Sequence, residues 1–356
     1  QNHGHDSIAG CSRDIVHEDM MFRFRQVREI STCVTERAMM DIVGCIDLSA
    51  WSSEDMAVVV FNPATFTRSE TIKTVLEIPL EWKATGFEIV DEKGGKVPLQ
   101  ITDQQSPFHQ IVQSPNDVAN NFPSTRYHAL AKFDGVPPLG YRTFRVKPLH
   151  SAKKPKQPES MLTGTQSMEN EFLSVTINAN GTLDILHKET GRLFKNLGYF
   201  RDSSERGNPW EHHAVPNDVI LTTLSHPTRI ALVRDGSLET SFRVSIDWAL
   251  PEGRSADEKT RGETFRRYPI TNTVTLRKGQ PWVEVVTELD NTVEDHYLQV
   301  CFPTETVTDK VHVQGHFDVV ERPVKKPDYS KYDEEPMTEH PTNSFVDLSD
   351  GLHGFA

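Results

Sequence analysis

The chain opens QNHGHDSIAGCS and within its first six residues places His3, His5 and Asp6. Imidazole and carboxylate are ligands of zinc and other borderline cations. His5 can donate to a metal, while Asp6 accepts from a hydroxyl or from a neighbouring ligand. Standing ahead of residues 7–15, the same carboxylate can instead cap a helix, and residue types alone leave both roles open. A second group of chemistry-bearing side chains lies in RGNPWEHHAVPND, where Trp210, His212 and His213 follow a glycine. Adjacent residues on a strand point to opposite faces, so His212 and His213 are not expected to share a metal. Cys11, Cys33, Cys45 and Cys301 form no CxxC pair, which removes zinc-finger and thioredoxin readings. Four cysteines in a chain this long make no disulfide framework and point to a reducing compartment. Carboxylate runs such as YDEEPMTE read as a solvated face, and no catalytic acid is nominated from them.

The elements that must position these groups are mostly strands. From Asp14 to about Cys45 there is no proline and no glycine before Gly44, and Ile15, Phe22, Val27, Ile30, Val34, Met39 and Ile42 recur at three- or four-residue spacing. That period predicts a helix whose apolar face needs a covering surface. After Trp51 the texture changes to MAVVVFNPATFTRSETIKTVLEIP, then GFEIVDEKGGKVPLQI and YHALAKFDGVPPLGYRTFRVKP, apolar runs broken by Asn-Pro and Gly-Gly turns. Residues 52–150 therefore read as a small immunoglobulin-like β-sandwich. SAKKPKQPES, at 151–160, reads as a linker. Residues 161–356 carry long β-rich segments without intervening helices, with an Asn-Gly hairpin signal at Asn180 and Gly181, and read as a large antiparallel sandwich. The final SFVDLSDGLHGFA reads as a hairpin whose returning strand is cut short.

The chain has 356 residues, 36% hydrophobic and 25% charged, and a formal net charge of -13. This is a globular composition with room for two or three domains. The acidity argues against a nucleic-acid surface, which needs clustered Lys and Arg. No apolar run approaches the roughly 20 residues of a membrane-spanning helix.

NHGHDSIAGCS resembles the His-Asp segment of the family 38 glycoside hydrolases, the retaining α-mannosidases, and most their bacterial branch. The helical stretch, the β domain beginning near VVVFNP, NEFLSVTINANGTLDILHKETG, FDVVERP and FVDLSDGLHGFA are similar to that family in order and spacing. The resemblance implies a galactose mutarotase-like supersandwich for 161–356, a remnant of a helical middle domain for 1–51, and a bacterial cytoplasmic protein. It implies that His5 is a zinc ligand and that Asp6 contacts the bound sugar, with His3 behind the ligand or in solvent. It also implies that Trp210 takes the place of a loop tyrosine that reaches the catalytic sugar; Trp keeps a stacking face and loses the hydroxyl. The implied reaction is double displacement on terminal α-linked mannose, with zinc (Zn2+) binding sugar hydroxyls. The nucleophile and the other zinc ligands are expected from an α/β domain N-terminal to this chain, which leaves the chain alone inactive and its zinc unretained.

Three rival expectations remain. The chain could be a non-catalytic carbohydrate-binding β-sandwich protein, or an aldose-epimerase-like enzyme using a His and Glu pair, although no such pair stands out among the 15 histidines. It could also be an interaction module that pairs with another chain, its own copies included, through the helical face around Phe22, Val27 and Met39.

Overall fold

A computed structural model describes residues 11–112, 118–151, 159–207, 211–333, 336, 339–340, 342, 344–350 and 354–355. The chain is mainly β and divides into two compact units. Unit 1 comprises residues 1–161 with 234–240 and 277–280, and unit 2 the remainder.

Unit 1 begins with the helix α1 (Asp14–Val43), the segment whose apolar spacing predicts it. Met20 is its one buried residue, whereas Phe22, Ile30 and Val34 are more than half exposed. The apolar stripe is therefore present but uncovered. Six strands follow: β1 (Met56–Asn62), β2 (Arg68–Pro79), β3 (Gly86–Val90), β4 (Leu99–Val112), β5 (Asn120–Val136) and β6 (Gly140–Leu149). They form two three-stranded antiparallel sheets, ordered β1-β6-β3 and β2-β5-β4. Alternation fills the core with Val60, Leu76, Phe87, Ile89, Phe133, Phe144 and Val146. On β6 that inward set leaves Tyr141, Thr143, Arg145 and Lys147 on the opposite face, the period-two consequence of the pleat. Fully burying each large apolar side chain contributes about 1.5–3 kcal/mol.

Two further pieces of chain complete unit 1. Gln100 Oε1 accepts from the amides of Leu238 (2.8 Å) and Glu239 (3.0 Å), and the buried Glu239 carboxylate is held between Arg234 and Arg277.

Unit 2 contains β7 (Leu162–Gly164), β8 (Ser167–Glu169), β9 (Leu173–Ile177), β10 (Leu183–His187) and β11 (Leu193–Leu197), a sheet ordered β11-β10-β9-β8-β7. The turn between β9 and β10 contains Gly181 at φ +83°, and an added Cβ there would meet Val244 and Thr228, so the Asn-Gly signal marks a site only glycine fits. Next come β12 (Tyr199–Ser204), β13 (Leu221–Thr222), β14 (Arg229–Arg234), β15 (Glu239–Pro251), β16 (Phe265–Arg277), β17 (Val283–Leu289) and β18 (His296–Cys301). They make a sheet β13-β12-β18 and a sheet β14-β15-β16-β17. The last four, β19 (Lys310–Gln314), β20 (Val319–Pro323), β21 (Val346–Ser349) and β22 (Gly354–Phe355), form β20-β19-β21-β22. β21 and β22 pair antiparallel, Leu348 opposite Phe355 and Ser349 opposite Gly354.

Candidate functional site in the loop cluster of unit 2

His3, His5, Asp6 and Trp210 all lie outside the described residues, as does most of the 151–160 segment. What the structure does describe is the ground on either side of Trp210. β12 runs antiparallel to β18, with Ser204 opposite His296. The connections β12–β13, β15–β16 and β17–β18 meet at that end. The Glu205 amide donates to Asp295 O (2.9 Å), Glu294 N to Glu252 O (3.0 Å) and Asn217 N to Lys259 O (2.9 Å). Arg254 bridges the same connections, contacting Asp295 at 3.0 Å through Nε and donating to Arg206 O at 3.3 Å. Asp295 (φ 50°) and Glu258 (φ 56°) hold left-handed backbone there, conformations that non-glycine residues keep only where neighbours enforce them.

Glu205 organises the loop that follows β12. Its Oε1 accepts from the amides of Arg206 (2.7 Å) and Gly207 (3.0 Å) before residues 208–210, and from His213 N (3.4 Å) after them. Its Oε2 faces His212 Nδ1 at 2.7 Å, and Arg206 N donates to His213 O at 2.9 Å. One carboxylate thus ties both stems of the Trp210 loop together. The His212 ring lies against Tyr297, centroids 4.4 Å apart, and burial pushes the Tyr297 phenol up. His213 instead contacts Glu211 at 3.0 Å. The two histidines do diverge, but they sit in a loop, not on a strand, and the divergence comes from the two carboxylates they face.

Two features here escaped the sequence. A close His and Glu pair does exist, His212 with Glu205; it was hidden among 15 histidines because a separation of seven positions within a loop gives no periodic signal. His212 Nε2 also faces Ser203 Oγ at 3.5 Å, completing a Ser-His-Glu order. Ser203 is 2% exposed in the middle of a sheet, so no acyl group reaches its oxygen and the array is a structural brace.

Beneath the loops lies a buried polar chain. Asp202, wholly buried, pairs through Oδ1 with Arg261 and through Oδ2 with His296 Nδ1 (2.6 Å). His296 Nε2 faces Asn291 Oδ1 (2.7 Å), which also accepts from Tyr268 OH (3.0 Å). Burial, with Asp202 and Asp290 nearby, pushes the Tyr268 phenol up. Arg261 Nη1 additionally reaches Val219 O at 3.3 Å, and Asp218 accepts from the Ser204 amide at 3.1 Å. A buried ion pair persists when hydrogen bonds satisfy its remaining atoms, and this one is satisfied from three loops.

Among the described residues no group of three or more His, Cys, Asp or Glu side chains could hold a metal ion. No helix among them is long and apolar enough to cross a membrane.

The antiparallel scaffold gathers polar loop residues at one strand end, an arrangement found with many activities, and the family is given by sequence similarity. Residues 168–356 match the glycosyl hydrolases family 38 C-terminal domain. That is more than half of the chain, and the chain belongs to this family. A protein of Halalkalibacterium halodurans, provisionally named a mannosylglycerate hydrolase, is 26% identical over 99% of this chain and 42% of its own length. An α-mannosidase structure from Enterococcus faecalis V583 superposes with a TM-score of 0.85 at 26% identity, over 98% of this chain and 42% of that one. A second family 38 structure from Enterococcus faecalis gives 0.80 at 25% identity over 91% and 42%. The chain thus spans well under half the length of these relatives.

Proposed function

We propose that this chain forms part of a retaining α-mannosidase acting on terminal α-linked mannose in a bacterial cytoplasm. The observation that carries the proposal is the Glu205 bracket, which fixes both stems of the Trp210 loop on a family 38 scaffold. In this reading Trp210 offers a stacking face to the sugar, Asp6 accepts from its hydroxyls and His5 is a metal ligand. Zinc, when bound, would engage sugar hydroxyls. One imidazole is fewer donors than a zinc site requires, so in this reading the remaining ligands, and the nucleophile and acid–base carboxylates, belong to a part of the relatives' length that this chain does not span. The chain alone is then inactive. Self-association is part of the proposal only through the open face of α1.

The His212–Glu205 contact keeps the epimerase reading testable. Against it, three amides and an imidazole already occupy the Glu205 carboxylate, leaving its oxygens little room to accept from a sugar hydroxyl.

The test compares this chain with the full-length protein and its His5→Ala variant, measuring cleavage of an aryl α-mannoside and bound zinc. The expected result is zinc and turnover in the full-length protein only, both abolished by His5→Ala. Turnover of a mannoside, or mutarotation of an aldose, by this chain alone would overturn it.

A further inference from the structure

Unit 1 carries a groove of about 730 Å³ on the outer face of the β1-β6-β3 sheet. It arises from a simple cause. The pleat of β6 sends Tyr141, Thr143, Arg145 and Lys147 away from the core, and the segment after α1 folds back across them and brings Trp51 above Arg145. The Arg145 guanidinium lies 5.5 Å from the Trp51 ring centroid and is pinned from the other side by Asp55, whose side chain is 5% exposed. The opposite wall is the turn after β3, where Asp91 Oδ1 accepts from the amides of Lys93 (2.9 Å) and Gly95 (2.7 Å) and Gly94 holds φ +81°. Arg142 is fixed there by Glu92 at 2.9 and 3.1 Å. Both walls are therefore preorganised by contacts within the unit.

The lining is chemically balanced. Asp47, Asp91 and Glu92 face Lys93, Arg142 and Lys147, and the charge of Arg145 is matched by Asp55. No excess of one sign is left to recruit an ion. Two aromatic rings, Trp51 and the 41% exposed Tyr141, stand among donors and acceptors of both kinds. A ligand that matches this has apolar C–H faces to lay on rings and many hydroxyls that both donate and accept. That is the description of an uncharged sugar. Along β6 the four residue steps from Tyr141 to Arg145 span about 13 Å, room for more than one ring.

We propose that this groove is a non-catalytic carbohydrate site, taking a neutral mono- or disaccharide between Trp51 and Tyr141. It stands on unit 1 alone and is independent of the loop cluster.

The experiment is a titration of this chain with α-linked mannobiose, followed by backbone amide NMR. Saturable shifts at Lys93, Gly94, Thr143 and Lys147 with a Kd in the ~millimolar range are expected, and Trp51→Ala and Tyr141→Ala each weaken binding about tenfold. His128→Ala, on the outer face of the other sheet of unit 1, leaves binding unchanged. Tyr141 is exposed, so its variant keeps the test valid if Trp51→Ala does not fold. Absence of saturable shifts, or full affinity in Tyr141→Ala, overturns the proposal. Shifts confined to residues 205–207 and 211–213 would overturn it too, while leaving the reading of the loop cluster intact.

Discussion

The loop cluster of unit 2 and the groove of unit 1 both gather charged and aromatic side chains, yet they are built on opposite principles. In the cluster, the buried Asp202 is satisfied by Arg261 and His296 out of water, and the chain continues through Asn291, at the surface, to Tyr268. In the groove, Arg142 and Arg145 are held at their guanidinium ends by Glu92 and Asp55, while the Tyr141 ring on the same lining stays open to solvent. The lesson is that a closed polar network holds shape, whereas an open one with anchored members is free to bind.

The contrast breaks first where the closed network is cut. Asp202→Ala leaves Arg261 and His296 buried without their anion and should cost about 3–5 kcal/mol in denaturant unfolding of this chain; a loss below ~1 kcal/mol would mean the network is not closed. Next in size is Glu205→Ala, expected to cost about 1–3 kcal/mol by orphaning loop amides. Hydrogen exchange at Gly207 and His213 should accelerate, with the β12 amides unaffected.

In unit 1 the expected effects are smaller and pH-dependent. The Arg145 hydrogen bond holds the Asp55 carboxyl below its ordinary value of 3.8, with the Ser52 amide helping. A lowered folded-state value favours the folded state above 3.8, and that contribution disappears as pH falls through the lowered value. Asp55→Asn should therefore flatten the acid end of the stability profile and leave its neutral-pH shape unchanged, as compared by acid unfolding of the two proteins. Tyr141→Ala, which loses only an exposed ring 5.6 Å from Phe61, should cost about 1 kcal/mol or less while removing sugar binding. Arg266→Ala, at an exposed pair with Glu252, should leave the unfolding midpoint unchanged.

Much of the fold was legible. The three- and four-residue spacing from Ile15 to Ile42 marked α1, the Asn180-Gly181 pair marked the β9–β10 turn, and the alternation of Phe144 and Val146 with Arg145 and Lys147 marked β6. Each signal is a local period or a local backbone demand. The site was less legible. His212 and Glu205 meet within a loop that has no period, and the closeness depends on where the two stems are tied. The assignment of 234–240 and 277–280 to unit 1 was equally invisible, because it depends on Gln100 finding the amides of Leu238 and Glu239 from 138 and 139 positions away.

By itself the sequence determined the class of fold, the succession of one helix and then β-rich segments, the acidic net charge and, through the resemblance its motifs carry, the family. Those properties are written in neighbouring residues, since pleat, helical period and turn geometry act over a few positions. Only the tertiary structure decided that Asp202 would meet Arg261, 59 residues on, and His296, 94 residues on. It also decided that Trp51 would roof Arg145. Such meetings depend on strand pairing between distant segments, where β12 finds β18 by the sum of many buried contacts and not by any mark on the residues themselves.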